Sequence, residues 1–182
     1  MSRFFTIVLL SLLAGCTTNQ LHFAAYTSET ELAALKQRSI DVDVTAVTGG
    51  ENCSACTERS NIVWHAANYN GSLYEGYAAL PIKDWGTFVQ EALESRPQSA
   101  TKVKVVIERI FLKTWSDPAY YACQAEIAVL VGAAEYKGKG IVKIHAPGQQ
   151  LIRADLATLN SETLAAIRLS LKSAYINATS RH

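Results

Sequence analysis

KVKVVIERIFLKTWSDPAYYACQAEIAVLVGAAEYKGKGIVKIHA, residues 102–146, is the stretch whose reading decides the fold. It divides into three long segments with short breaks between them. In the first, Lys102 to Trp115, the residues Val103, Val105, Ile107 and Phe111 alternate onto one face. Asp117-Pro118 then marks a turn. In the second, Tyr120 to Ala133, one continuous apolar face runs through Tyr121, Cys123, Ala125, Ile127, Val129 and Val131. The third, Tyr136 to Ala146, follows a turn expected near Ala134-Glu135. It separates Gly138, Gly140, Val142 and Ile144 from Lys137, Lys139, Ile141, Lys143 and His145. A period of two is the mark of a strand, because successive side chains point to opposite faces of a sheet. Long strands joined by short connections form an antiparallel meander.

Outward from this meander the pattern changes to the helical period. Ile82, Trp85, Val89 and Leu93 recur at three- and four-residue spacing, with Phe88 beside them. A helix opened by Pro81 and stopped by Arg96-Pro97 is predicted there. A second helix is predicted from Ser161 to Ile176, capped by Asn160 or Ser161. Its core stripe is Leu164, Ile167, Leu171 and Tyr175, with Ala165 and Ala174 allowing close approach. Residues Ala178 to His182 are expected to fray. Upstream, Asp41 to Val47 alternates as a strand ended by Thr48-Gly49-Gly50, and shorter strands are expected at Ile62–Ala66 and Leu73–Ala79. The fold class that satisfies all of this is α+β. It is a two-layer sandwich of a mainly antiparallel sheet, with the three-strand meander and two helices on one face. The helices are expected to cover the face carrying Cys123, Ile127 and Val129.

The N-terminus reads as an address. Arg3 precedes the apolar run Phe4 to Leu13, which is about half of the roughly twenty residues a helix needs to cross a bilayer. Leu13-Ala14-Gly15-Cys16 follows and resembles the bacterial lipoprotein signal. The resemblance implies cleavage before Cys16, a thioether-linked diacylglycerol on its sulfur, and a further fatty-acyl (palmitate) group on the new amine. Acyl chains contribute about 0.8 kcal/mol per buried methylene, so three of them hold a protein at a membrane. Thr17 stands where inner-membrane retention signals of enterobacteria carry Asp. That similarity implies the outer membrane, on its periplasmic face. The expected organisation is a signal peptide over 1–15, a lipidated tether over 16–40, in which Ser28 to Glu31 has capping-box spacing for a short helix from Glu29 to about Arg38, and one periplasmic domain over 41–182.

Composition narrows the function classes. The chain has 17 Lys plus Arg against 16 Asp plus Glu, and the signal segment removes only Arg3 from that balance. A nucleic-acid binder would be basic, so that class is set aside. With 49% hydrophobic and 18% charged residues, the chain carries enough apolar surface for a core and is not disordered as a whole.

Cys53-Ser54-Ala55-Cys56 is the sharpest internal motif. In an oxidising periplasm it favours a local Cys53–Cys56 disulfide, with Cys123 pointing into the core. A bridge from the loop to Cys123 is the competing pairing. A haem attachment site needs His after the second cysteine, and Thr57 is there. A thioredoxin-like site needs a helix directly behind the first cysteine, and no helical pattern follows. Zinc would need further ligands, for which His65 and Cys123 are the candidates, but the spacing matches no compact module. The expectation is therefore no metal and no cofactor, with a ligand, metal or thiol-redox role centred on Cys53, Cys56 and His65 as the alternative. No Ser, His or paired-carboxylate arrangement makes a catalytic constellation, so no enzyme is expected.

Two surfaces carry the binding expectations. Lys137, Lys139 and Lys143 form a basic stripe suited to anionic groups such as lipid headgroup phosphates. By strict alternation Val106, Ile110, Leu112, Ala128, Leu130 and Ile141 fall on the sheet face away from the helices. An apolar patch of that size marks a partner or self-association surface. Val106, Ile110, Leu130 and Ile141 are its predicted contact residues, and Ile110→Asp is expected to leave the fold intact.

At the level of the domain, the helix Pro81 to Leu93, the strands Val103 to Leu112 and Cys123 to Val131, and the closing Ser161-Glu162-Thr163-Leu164 helix resemble Gram-negative envelope lipoproteins of the YajG type. They are more distantly similar to auxiliary lipoproteins of ABC-type lipid transport systems. The resemblance implies a periplasmic α+β domain without catalysis. It also implies an accessory or assembly role in a cell-envelope complex, with a protein or lipid as the partner.

Overall fold

The computed structural model describes residues 27–50, 62–67, 75–78, 80, 82–116, 119–145 and 156–180, with the backbone alone at 63–67, 75–78, 115–116, 119 and 156–160. The elements are α1 (Glu29–Gln37), β1 (Asp43–Thr48), β2 (Ile62–Ala67), β3 (Glu75–Ala78), α2 (Trp85–Ala92), β4 (Lys102–Ser116), β5 (Ala119–Val131), β6 (Ala134–His145) and α3 (Leu156–Thr179). The predicted meander is β4–β5–β6, antiparallel throughout. The sheet runs in the order β3-β2-β4-β5-β6. β1 and β2 both lie parallel to β4 on its remaining edge. β1 takes Lys102 to Val106 and β2 takes Ile110 to Trp115. One fifteen-residue strand thus supports two short strands laid end to end. The fold is the expected α+β sandwich, with a mostly antiparallel sheet and the helices packed on it.

The hairpin from β5 to β6 turns at Gly132-Ala133, two residues earlier than the sequence reading placed it. Gly132 has φ +60°, the left-handed value that a two-residue hairpin loop demands at its first position. The alternation then continues unbroken from Ala134.

Helix α2 begins at Trp85, with Asp84 as its N-cap, rather than at Pro81, which lies outside the described residues. The Asp84 carboxylate accepts the Thr87 amide at 3.1 Å and the Thr87 hydroxyl at 2.7 Å, and these bonds hold its carboxyl below the usual range. Trp85, Phe88, Val89 and Leu93 are all buried, as the stripe predicted. At the other end Glu94 takes φ +53°. Its amide bonds Glu91 O and the Ser95 amide bonds Gln90 O, the paired bonds of a Schellman turn. This turn also finishes the edge of β1: the Arg96 amide donates to Val42 O, the Val44 amide to Ser95 Oγ, and Gln90 Nε2 to Val44 O.

Helix α3 is longer than predicted at both ends. Asn160 and Ser161 lie inside it instead of capping it. Each costs a helix only a few tenths of a kcal/mol relative to alanine, too little to stop one. Ala178 does not fray; it is buried in the core. The reason is β6. A Cβ added at Gly138 would stand 1.9 Å from Ala174 O, and one added at Gly140 would stand 2.2 Å from Ser170 O. The two glycines leave the floor on which the backbone of α3 lies, and Ser170, Ala174 and Ala178 are the small residues that let it settle there. The core between the layers holds Val42, Val44, Val103, Val105, Ile107, Tyr121, Cys123, Ile127, Val129, Ile167 and Leu171.

The expected start of the folded domain moves as well. Helix α1 forms as predicted over Glu29–Gln37. The Ser28 amide donates to Glu31 Oε2 at 2.9 Å and the Glu31 amide to Ser28 Oγ at 3.3 Å, closing the capping box. The Ser28 hydroxyl, donating to Glu31 Oε2 at 2.7 Å, and after it the Ser28 amide hold the Glu31 carboxyl below its usual range. The segment is docked rather than free, because Thr27 bonds β6 and Leu35 and Ile40 are buried. The described fold therefore starts at Thr27 and not near Asp41.

Gly140→Ala is expected to lower stability by about 2 kcal/mol through overpacking under α3, read as a fall in the urea midpoint with the far-UV spectrum retained. An unchanged midpoint would contradict the close contact.

Candidate functional site

The predicted partner surface is changed by one residue. Between Ile107 and Arg109 the register of β4 against β5 slips, so Ile107 pairs Ile127 and Arg109 pairs Glu126. Glu108 is the extra residue of a β-bulge. Past it, the alternation is inverted. Ile110 and Leu112 turn into the core with no exposed surface, and Phe111, itself still buried, falls outside that core cluster. Ile110 is thus a core residue and not a contact residue, and the expectation that Ile110→Asp spares the fold is overturned. Of the four predicted contacts, Val106, Leu130 and Ile141 remain partly exposed on the outer face. Val106 pairs Ala128 and Lys104 pairs Leu130, which makes Val106 and Leu130 diagonal neighbours. Ile141 lies further along the sheet, opposite Gln124. Ala128 is buried between them. The patch is smaller and more divided than alternation predicted.

The basic stripe is laced with carboxylates. Lys137 pairs with Glu108 and, at 3.8 Å, with Glu135. The hydrogen bond that Lys137 donates to Glu108, more than any other cause, raises the ammonium above its ordinary value. Lys139 pairs with Glu126 at 3.2 Å, and Glu126 also accepts Gln124 Nε2 at 2.7 Å. Lys143 stands over the Tyr120 ring at 4.5 Å. Two of the three lysines proposed for anionic groups therefore already face acids. The bulge that buries Ile110 also supplies one of them, Glu108.

Cys53 and Cys56 lie outside the described residues. His65 sits at a register position in β2 between Tyr77 of β3 and Lys113 of β4. Cys123 is free and buried, its inward position as predicted. Ser170 Oγ lies 3.0 Å from its sulfur while donating to Ile167 O at 2.9 Å. Burial pushes the thiol up to about 12, against a weaker opposing effect of Ser170. A thiol this basic beneath α3 is neither nucleophile nor ready metal ligand. Among the described residues, no three His, Cys, Asp or Glu side chains come together as a metal set.

Two grooves were not foreseen. The larger, about 680 Å³, lies between α1, the free edge of β6 and α3. Thr27, Leu35 and Arg38 line one wall, and Ile141, Ile176 and Asn177 the other. Thr27 donates both its amide (3.1 Å) and its hydroxyl (2.7 Å) to Ile141 O, and Asn177 Nδ2 donates to Lys139 O at 2.8 Å. These bonds occupy acceptors on an edge that would otherwise be open to another strand. The smaller groove, about 260 Å³, lies between α2 and α3 and carries two ion pairs. Arg168 meets Glu91 at 2.9 Å, and Lys172 meets Glu94 at 2.6 Å. The Lys172 side chain is only 5% exposed, so the left-handed turn at Glu94 brings a carboxylate to an otherwise buried ammonium. No spacing in the sequence announces either groove, since each joins segments far apart in the chain.

Ile110→Asp is expected to cost about 4 kcal/mol or more, as an unpaired charge in the core does, while Leu130→Asp stays within about 1 kcal/mol. Chemical denaturation of the two variants checks this directly. The Cys123 thiol titrates higher in the folded chain than in the unfolded one. Its contribution is therefore fully present below about pH 9 and lost as pH rises toward 12. Between pH 9 and 10.5 the wild type should lose stability faster than Cys123→Ala, by up to about 1.4 kcal/mol per pH unit; equal slopes would contradict the buried thiol.

No family model matches the chain, and no curated protein matches it. Among solved structures it is similar to one described as the crystal structure of an uncharacterized protein. The identity is 10%, over 77% of this chain and 92% of the other, with a TM-score of 0.35.

Proposed function

We propose that this chain is a lipid-anchored envelope protein, held on the periplasmic face of the outer membrane through Cys16. It acts without catalysis as an accessory or assembly subunit of an envelope complex. The observation that carries this reading is Leu13-Ala14-Gly15-Cys16 directly after the apolar run Phe4 to Leu13. Among the described residues no helix is long and apolar enough to cross a membrane. Binding, rather than thiol chemistry, is favoured because the one cysteine among the described residues, Cys123, is sealed under α3. The surface offered for a partner is the outer sheet face around Val106 and Leu130. The CxxC at Cys53 and Cys56 supports a second reading, a thiol or metal role, which titration of free thiols and bound zinc in the unreduced protein would separate from the first.

Cells fed a labelled fatty acid should incorporate it into the wild type and not into Cys16→Ala, and the variant should move from the membrane fraction to the soluble one. Equal labelling of both chains would reject the anchor. With the anchor intact, Val106→Asp and Leu130→Asp should keep the wild-type melting midpoint and lose the co-purifying partner; undiminished partner in both would reject that surface.

A further inference from the structure

We infer that α1 is a releasable latch that sets the length of the tether, an inference that rests on the anchor at Cys16 proposed above. The helix is self-sufficient at its start, because the Ser28–Glu31 capping box satisfies its first amides locally. It is thinly attached to the rest of the fold. Of its nine residues only Leu35 is buried. Among the described residues the other holds are half-buried Leu32, a 3.4 Å bond from Arg96 Nη2 to Ser39 Oγ just past the helix, and Thr27, whose two hydrogen bonds both end on one carbonyl, Ile141 O. Between the helix and the body lies the open groove of about 680 Å³, so α1 leans across a gap instead of filling it. Attachment becomes firm only at Ile40 and Val42, which belong to the core, and at Asp43, whose amide bonds Thr101 O. By contrast, α3 lies with its backbone on Gly138 and Gly140 and places Ile167, Leu171 and Ala174 in the core. Segments held by few buried contacts open locally at much lower free energy than the whole domain.

The position of this weak segment gives its opening a consequence. With α1 docked, the covalent path from Cys16 ends at Thr27 and spans at most about 40 Å, at roughly 3.5 Å per residue. With α1 released it ends at Ile40, and the limit becomes about 85 Å. Release therefore about doubles the distance from the membrane at which the domain can meet a partner, while the sheet and its outer face stay intact.

Hydrogen exchange on the unlipidated Cys16→Ala full chain tests the latch without the anchor. Amides of 32–37 should exchange at least a hundredfold faster than those of 166–176. Leu35→Ala should speed the former a further tenfold or more and leave the latter and the global midpoint unchanged. Exchange of both segments at one common rate, or a Leu35→Ala effect spread over α3, would overturn the inference. For the lipidated chain on vesicles, energy transfer from a dye at Lys83 to the bilayer should fall in Leu35→Ala, and unchanged transfer would overturn the spacer role. Failure of Cys16 to carry lipid would sink the anchor alone and leave the exchange result standing.

Discussion

The rest of the structure depends on the seating of α3 directly on β6 at Gly138 and Gly140. A helix packed on a sheet through ordinary side chains is held off by their Cβ atoms and what lies beyond them. Here the carbonyls of Ser170 and Ala174 occupy the space that two Cβ atoms would need. That closeness buries Ser170 over Cys123 and draws Ala178 into the core. It also fixes where the neighbours of α3 can lie. Helix α2 reaches it through Glu91 and Glu94, paired with Arg168 and Lys172, and the turn after α2 completes the hydrogen bonding of β1. The chain from β6 through α3 and α2 to β1 is thus one connected set of contacts around the apolar core.

A second constraint is the single extra residue at Glu108. It lets one long strand present two different phases. Before it, Val103, Val105 and Ile107 enter the core; after it, Ile110 and Leu112 do. The same point separates the part of β4 paired with β1 from the part paired with β2. A bulge bends and twists the strand that carries it, which suits an edge shared between two short strands. The cost is the outward apolar patch. Two of its predicted members, Ile110 and Leu112, become core, and the carboxylate of Glu108 joins Lys137 on the outer face.

That outer face is consequently a mixed surface. Lys137 and Lys139 face Glu108, Glu135 and Glu126, with Val106 and Leu130 partly exposed among them. Exposed pairs of this kind contribute little to stability, because water and salt screen them. They can rearrange when a partner arrives, and opposite charges in alternation select register better than they supply affinity.

The sequence by itself determined the strands of the meander, the apolar stripe of α2, the capping box of α1 and the inward position of Cys123. Each is a local matter, settled by a period of two or 3.6 or by a spacing of three residues. The motif from Leu13 to Cys16, on which the proposed anchor rests, is equally local. Tertiary structure alone decided where Ile110 points, because one unpaired residue inverts every side chain after it and leaves no mark in composition. It decided that α1 docks, through the bond from Thr27 to a carbonyl more than a hundred residues away. It decided too that Gly138 and Gly140 carry a helix backbone, and that Glu94 serves Lys172. These depend on distances between segments remote in the chain, and hydrophobic patterning encodes which face is buried but not what arrives to bury it.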